Sequence, residues 1–137
     1  MNLTKHSDAR GFVYEIFRRD NPQFTRFGQV YVVGDITRGT VRAWHRHFKM
    51  DEWFCCVHGS VQFTLHDPDA GTFTEHPLSG AEPSLLYVAR GVYHGHRVLS
   101  DEALTVAICT EPYDPAQKDE ERVPADHFPG YRWEQGK

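Results

Sequence analysis

Residues 39–59, G-T-V-R-A-W-H-R-H-F-K-M-D-E-W-F-C-C-V-H-G, decide how the chain reads. His45 and His47 are two apart, so on an extended strand their side chains leave the same face. Residues 48–51 then turn the chain, and Glu52 opens an apolar run over 53–57. If that run is the returning strand of a hairpin, Glu52 sits beside the two imidazoles. Two neutral imidazoles and a carboxylate on adjacent strands supply most of a site for a borderline divalent metal. A fourth nitrogen comes from A-R-G-V-Y-H, where a turn at Gly91 starts another strand with His94. The expected metal ligands are therefore His45, His47, Glu52 and His94. Nitrogen and oxygen ligation of this kind suits zinc, nickel, iron or manganese.

Composition narrows the class. With 137 residues, 39% hydrophobic and 13% aromatic, the chain suits one domain whose core needs neither disulfides nor metal to form. The formal charge of −4 leaves no basic footprint for nucleic acid. No apolar run approaches membrane-spanning length, and residues 1–20 carry charges where a signal peptide needs an apolar core. Cys55 and Cys56 are adjacent and face opposite sides of a strand, so with Cys109 they argue against a disulfide framework. The expectation is a reduced, cytoplasmic protein.

Short β-branched and aromatic runs separated by turn residues recur along the chain. Strands are expected over 11–17, 29–34, 41–48, 53–57, 61–66, 72–78 (an edge strand interrupted at Pro77), 85–89, 95–99 and 103–109. No stretch before residue 114 carries capped helical periodicity. The tail from Asp114, D-P-A-Q-K-D-E-E-R, is expected to be irregular or to hold one short helix, with Phe128, Tyr131 and Trp133 packed on the surface. This pattern predicts an all-β, antiparallel double-sheet structure. The aromatics around 12–17 exceed what one small barrel easily buries, which predicts a homodimer with that strand crossing to the partner. His58, His66 and His96 read as surface or partly buried, with His96 sharing the face of His94.

The spacing Gly39, His45-x-His47, Glu52, Gly59 resembles the first cupin motif at each defining position. Residues 89–94 resemble the second, P-x-G-x-x-H, with Ala89 in place of the proline. The resemblance implies a jelly-roll barrel with the four motif side chains at one mouth.

Three further stretches resemble the dTDP-4-dehydrorhamnose 3,5-epimerase family. D-A-R-G-F-V-Y-E at 8–15 is similar to the family's D-x-R-G-F-F-x-E segment, which implies that Arg10 and Glu15 hold a nucleotide, commonly across a dimer interface. R-A-W-H at 42–45 matches R-G-L-H, which implies that His45 is the base removing a proton beside a sugar ketone. G-V-Y-H-G at 91–95 and C-T-E-P-Y-D-P at 109–115 follow in the family's order. The chain also departs from the pattern. The family's general-acid tyrosine falls six residues before Tyr113, where this chain has Ala107; its active-site lysine aligns with Glu52; and His47 replaces a non-histidine. An H-x-H pair on this strand is a feature of the related sugar-nucleotide 3,4-ketoisomerases.

The resemblance thus implies isomerase chemistry on a 4-keto-6-deoxy sugar nucleotide. His45 is the expected base, and His47 or His94, or a metal they hold with Glu52, polarises the ketone. Arg42, read as sharing the histidine face, is expected to bind phosphate oxygens. Tyr31 and Tyr113 are both candidates for the absent acid. Two rivals stand beside this reading. A metal-dependent cupin outside sugar metabolism would hold a transition metal without nucleotide affinity. A non-catalytic sugar-binding cupin would bind ligand without exchanging its protons.

Overall fold

The structure is a computed structural model describing residues 1–133, and every regular element among them is a strand. In chain order these are β1 (His6–Asp8), β2 (Gly11–Val13), β3 (Gln29–Asp35), β4 (Val41–His47), β5 (Glu52–His58), β6 (Ser60–Asp67), β7 (Thr72–Ser79), β8 (Leu86–Val88), β9 (Tyr93–Val98), β10 (Ala103–Cys109) and β11 (Glu120–Arg122). A four-stranded sheet runs β3-β10-β5-β8 and a five-stranded sheet runs β11-β4-β9-β6-β7. All strand pairs are antiparallel. The two sheets close on one another as a cupin barrel, so the all-β double-sheet expectation holds.

Alternation along the strands sorts the side chains. Phe54 and Cys56 of β5 point inward and meet Val61 and Phe63 of β6 and Val98 of β9, forming the barrel core. Their neighbours Trp53 and Cys55 point outward and are equally buried, under Leu3, Tyr14, Ile16 and Phe17. The adjacent cysteines therefore lie on opposite faces of one strand, both free. At the β5–β6 turn Gly59 has φ +72°, and a Cβ there would lie 2.1 Å from the Glu102 carbonyl oxygen, so glycine alone fits.

Three sequence expectations change. The H-x-H strand and the Glu52 strand are not a hairpin: β4 pairs with β9 and β11, whereas β5 pairs with β10 and β8. Residues 48–51 cross from one sheet to the other, so Glu52 meets the histidines across the barrel rather than along a ladder. The N-terminal strand ends at Val13, because Tyr14, Ile16 and Phe17 cover the apolar outer face presented by Trp53. Of the large apolar side chains in that run only Phe12 and Val13 stay exposed, at 56% and 67%. Pro77 does not interrupt β7, which lies at the sheet edge where a missing N–H costs no ladder bond. The tail is irregular, one of the two outcomes expected for it, and adds β11 to the edge of β4.

His66 also differs from its surface reading. It is buried and stacked on Phe73, with ring centroids 4.2 Å apart, in an aromatic cluster beneath the tail. Trp44 sits at the centre of that cluster, fully buried against Trp133, Phe128 and Tyr131. The tail aromatics thus pack as expected, and they hold β11 beside the barrel mouth.

Candidate active site

Both sheets line a cavity of about 540 Å³, within the range of small-molecule sites. β3 contributes Tyr31, β4 contributes Arg42, His45 and His47, β9 contributes His94 and His96, and β11 contributes Glu120 and Arg122. Strict alternation would set Arg42 and His45, three apart, on opposite faces. The register against β9 shifts between them, since Arg42 pairs with His96 while His45 pairs with His94, and this bulge lets both line the cavity. Gly95 makes room for it, because a Cβ there would lie 2.5 Å from the Ala43 Cβ.

At the floor, His47, Glu52 and His94 each offer one donor atom within 4.8 Å of the others. Glu52 is 2% exposed, and its Oε1 faces His47 Nε2 at 3.2 Å and His94 Nε2 at 3.4 Å. Its Oε2 accepts from the Tyr31 hydroxyl at 3.2 Å and from Cys109 Sγ at 3.3 Å. Burial alone would raise the Glu52 pKa, but the close His47 contact and the electrostatic pull of the His94 and His47 rings bring it down to about 2, so the carboxylate is ionised. Burial pushes His94 down to about 4, so that imidazole is neutral.

The tautomer of His47 follows from its partners. Its Nδ1 lies 2.9 Å from the Asp119 backbone carbonyl, which can only accept, so Nδ1 carries a proton. In a neutral His47 the Nε2 lone pair would then face the Glu52 carboxylate. Positive charge is needed between them, either as a second proton or as a cation. Burial opposes protonation of His47, yet Glu52 outweighs it and raises the pKa. Glu52 Oε1 is buried without a hydrogen-bond partner, and with His47 Nε2 and His94 Nε2 beside it the three atoms fit a cation equally well.

His45 stands beside this group rather than in it. Its ring centroid is 5.8 Å from that of His94, and its Nδ1 faces Glu120 Oε2 at 3.7 Å. The metal-competent set in the structure is therefore the three residues at the floor. Burial first, and the Arg122 charge second, lower the His45 pKa, so it is a free base near neutrality.

At the other end of the cavity Arg42 donates through Nε to Asp35 Oδ1 at 2.7 Å, while His96 Nε2 donates to Asp35 Oδ2 at 2.9 Å. Asp35 is buried, which would raise its pKa, but Arg42 and His96 together lower it. The Arg42 guanidinium is anchored through one nitrogen, and its terminal nitrogens make no hydrogen bond among the described residues. Arg10 and Glu15 lie away from this cavity within the same chain: Arg10 pairs with Asp8 at 2.7 Å and Glu15 with Arg18 at 2.9 Å, all exposed. Arg90 is tied to Asp51 and braces the β8–β9 turn.

Sequence reading missed Asp35, Asp119 and Glu120. The acidic run at 119–121 was the only signal for the last two, and a charge run in a tail ordinarily reads as a solvated face.

Comparison with known proteins identifies similar sequences and similar folds. The profile of the dTDP-4-dehydrorhamnose 3,5-epimerase family matches residues 1–135. The chain is 36% identical over 138 aligned positions to the spore coat polysaccharide biosynthesis protein SpsL of Bacillus subtilis (strain 168), covering 96% of this chain and 91% of SpsL. The crystal structure of a dTDP sugar isomerase from Desulfovibrio desulfuricans superposes with a TM-score of 0.87 at 27% identity, over 98% of this chain and 89% of that one. ChmJ, a 3'-monoepimerase from Streptomyces bikiniensis solved with dTDP-quinovose, gives 0.81 at 25% identity, over 91% of this chain and 68% of ChmJ. With the family profile matched over residues 1–135 and a relative 36% identical over nearly the whole chain, the chain belongs to the dTDP-4-dehydrorhamnose 3,5-epimerase family of sugar-nucleotide epimerases and isomerases.

Proposed function

We propose that this chain removes and returns a proton beside the ketone of a dTDP-linked 4-keto-6-deoxy sugar, with His45 as base. The observation that carries the reading is the placement of His45 on the cavity wall with Glu120 at 3.7 Å. The carboxylate opposite Nδ1 stabilises the imidazolium that forms when Nε2 takes the proton. Arg42, held by buried Asp35, offers two terminal nitrogens to a phosphate oxygen. The positive charge held at the floor, on His47 or a cation, then stabilises the enolate oxygen. Incubation with dTDP-4-keto-6-deoxyglucose in heavy water is expected to wash deuterium into a carbon next to the ketone. Binding of that nucleotide with no deuterium gained would favour the binding-module reading, which Ala107 at the family's acid position motivates.

If a divalent cation occupies the floor, His47, Glu52 and His94 would hold it, and it would supply Lewis-acid stabilisation of the enolate. Elemental analysis after purification without added metal tests this. One equivalent in the wild type and at least a tenfold loss in His47→Ala is expected for a metal site; no metal in the wild type assigns the floor charge to protonated His47.

We infer further that the protein acts in the cytoplasm as a homodimer. No helix among the described residues is long and apolar enough to cross a membrane. The β1–β2 hairpin stands alone as a two-stranded sheet, a unit of marginal stability without support. Phe12 and Val13 on it, and Val30 and Val32 on the edge strand β3, are all more than half exposed. Burying these faces together would carry Arg10 and Glu15 toward the partner's cavity. Sedimentation at micromolar concentration is expected to give a dimer, and Arg10→Ala to weaken nucleotide binding by about tenfold. A monomer with unchanged affinity in Arg10→Ala removes both assignments.

A further inference from the structure

We propose that Tyr31 is the proton donor of the reaction, acting from the strand next to the one that carries the donor elsewhere in the family. This rests on the epimerase reading of the site and deepens it. β10 and β3 are antiparallel, and Ala107 lies directly opposite Tyr31 in their register. Directly opposed residues point to the same side of a sheet, with Cβ atoms about 4.5–5.5 Å apart. Ala107 is fully buried and inward-facing, flanked on its other side by Phe54, which also lines the cavity. A tyrosine on β3 therefore sweeps the space that a side chain at 107 would otherwise fill.

The hydroxyl lies at the floor of the cavity. It reaches Glu52 Oε2 at 3.2 Å, on the carboxylate whose other oxygen faces His47 and His94. Tyr113 does not compete. It is 65% exposed, does not line the cavity, and is held at its backbone N–H by Gln29.

Tyr31 and His45 belong to different sheets, β3 to the four-stranded and β4 to the five-stranded one. A sugar lying between them meets the base on one face and the donor on the other. His45 takes the proton as the C–H bond breaks, and its electron pair enters the enolate. The enolate pair then takes the hydroxyl proton of Tyr31, forming the new C–H bond on the opposite face. The tyrosinate recovers a proton from water entering the cavity, Tyr31 being 38% exposed as a residue, and the imidazolium returns its proton to solvent. Nothing is oxidised or reduced, and the carbon is inverted.

The test follows both half-reactions in the intact protein with dTDP-4-keto-6-deoxyglucose in heavy water. Tyr31→Phe is expected to keep His45-dependent deuterium exchange with retained configuration, while inverted product falls about 10²–10⁴-fold. Tyr113→Phe should match wild type. Because positions 31 and 107 share one space, the exchange Tyr31→Ala with Ala107→Tyr should recover inverted product at least tenfold over Tyr31→Ala alone. Thermal melts and nucleotide titration accompany each variant, so loss of fold or binding is seen separately. Inverted product at the wild-type rate from Tyr31→Phe overturns the proposal and leaves His45 as base. Absence of exchange in the wild type overturns the reaction itself.

Discussion

His45→Asn is expected to lower the rate of solvent deuterium incorporation next to the substrate ketone by about 10²–10⁴-fold, the contribution of a positioned general base. Asparagine keeps a polar group of similar size opposite Glu120 but cannot accept and release a proton near neutral pH. Nucleotide affinity should change little, since Arg42 with Asp35 is a separate assembly at the other end of the cavity. The pH dependence carries a sign. Burial and Arg122 lower the His45 pKa, so the free base persists below the ordinary histidine value of about 6.5. The wild-type rate should therefore rise with pH along a limb centred below that value and be flat above it. A limb centred above 7, or an Asn variant with undiminished exchange, would remove His45 from the role of base.

Trp44→Ala should be among the most damaging single changes to the fold, and its effect should reach the site. Trp44 is fully buried, and its ring meets Trp133 at 5.0 Å, Phe128 at 5.4 Å and Tyr131 at 5.8 Å. Its indole N–H donates to the Ala125 carbonyl at 3.1 Å, and its backbone exchanges hydrogen bonds with Val123. Removing the ring leaves a cavity and an unpaired carbonyl, a loss of about 3–5 kcal/mol. For a chain of this size that corresponds to a melting point lower by about 10–15 °C. The same contacts hold the tail that brings Asp119, Glu120 and Arg122 over the cavity. Below its melting point the variant should thus exchange substrate protons more slowly than wild type, with the tail more open to protease. A melting point within about 2 °C of wild type, with activity unchanged, would show that the tail is held by other contacts.

The order of strands, the inward face of the barrel and the cavity placement of His45, His47 and His94 were legible in residues 39–59 and 89–95, because period-two alternation and glycine turns are local properties. The alternation of 61–66 and the opposed facing of Cys55 and Cys56 followed for the same reason. Partner choice between strands is not local. The segment at 48–51 reads as a hairpin turn, yet it crosses between sheets, since β5 is a central strand pairing on both edges with β10 and β8. Glu52 reaches the histidines by that crossing. Arg42 reaches the cavity through a bulge that Gly95 accommodates, and no periodicity announces it. The tail was least legible of all. Glu120 and Asp119 sit in a polar run that by itself would stay in water, and they come to His45 and His47 only because Trp44 anchors the aromatics that follow. Tyr31 and Tyr113 are equal candidates along the chain. The tertiary structure distinguishes them, placing Tyr31 in the cavity opposite Ala107 and Tyr113 outside it, because pairing across a sheet is decided by burial of whole faces and not by the residues adjacent in sequence.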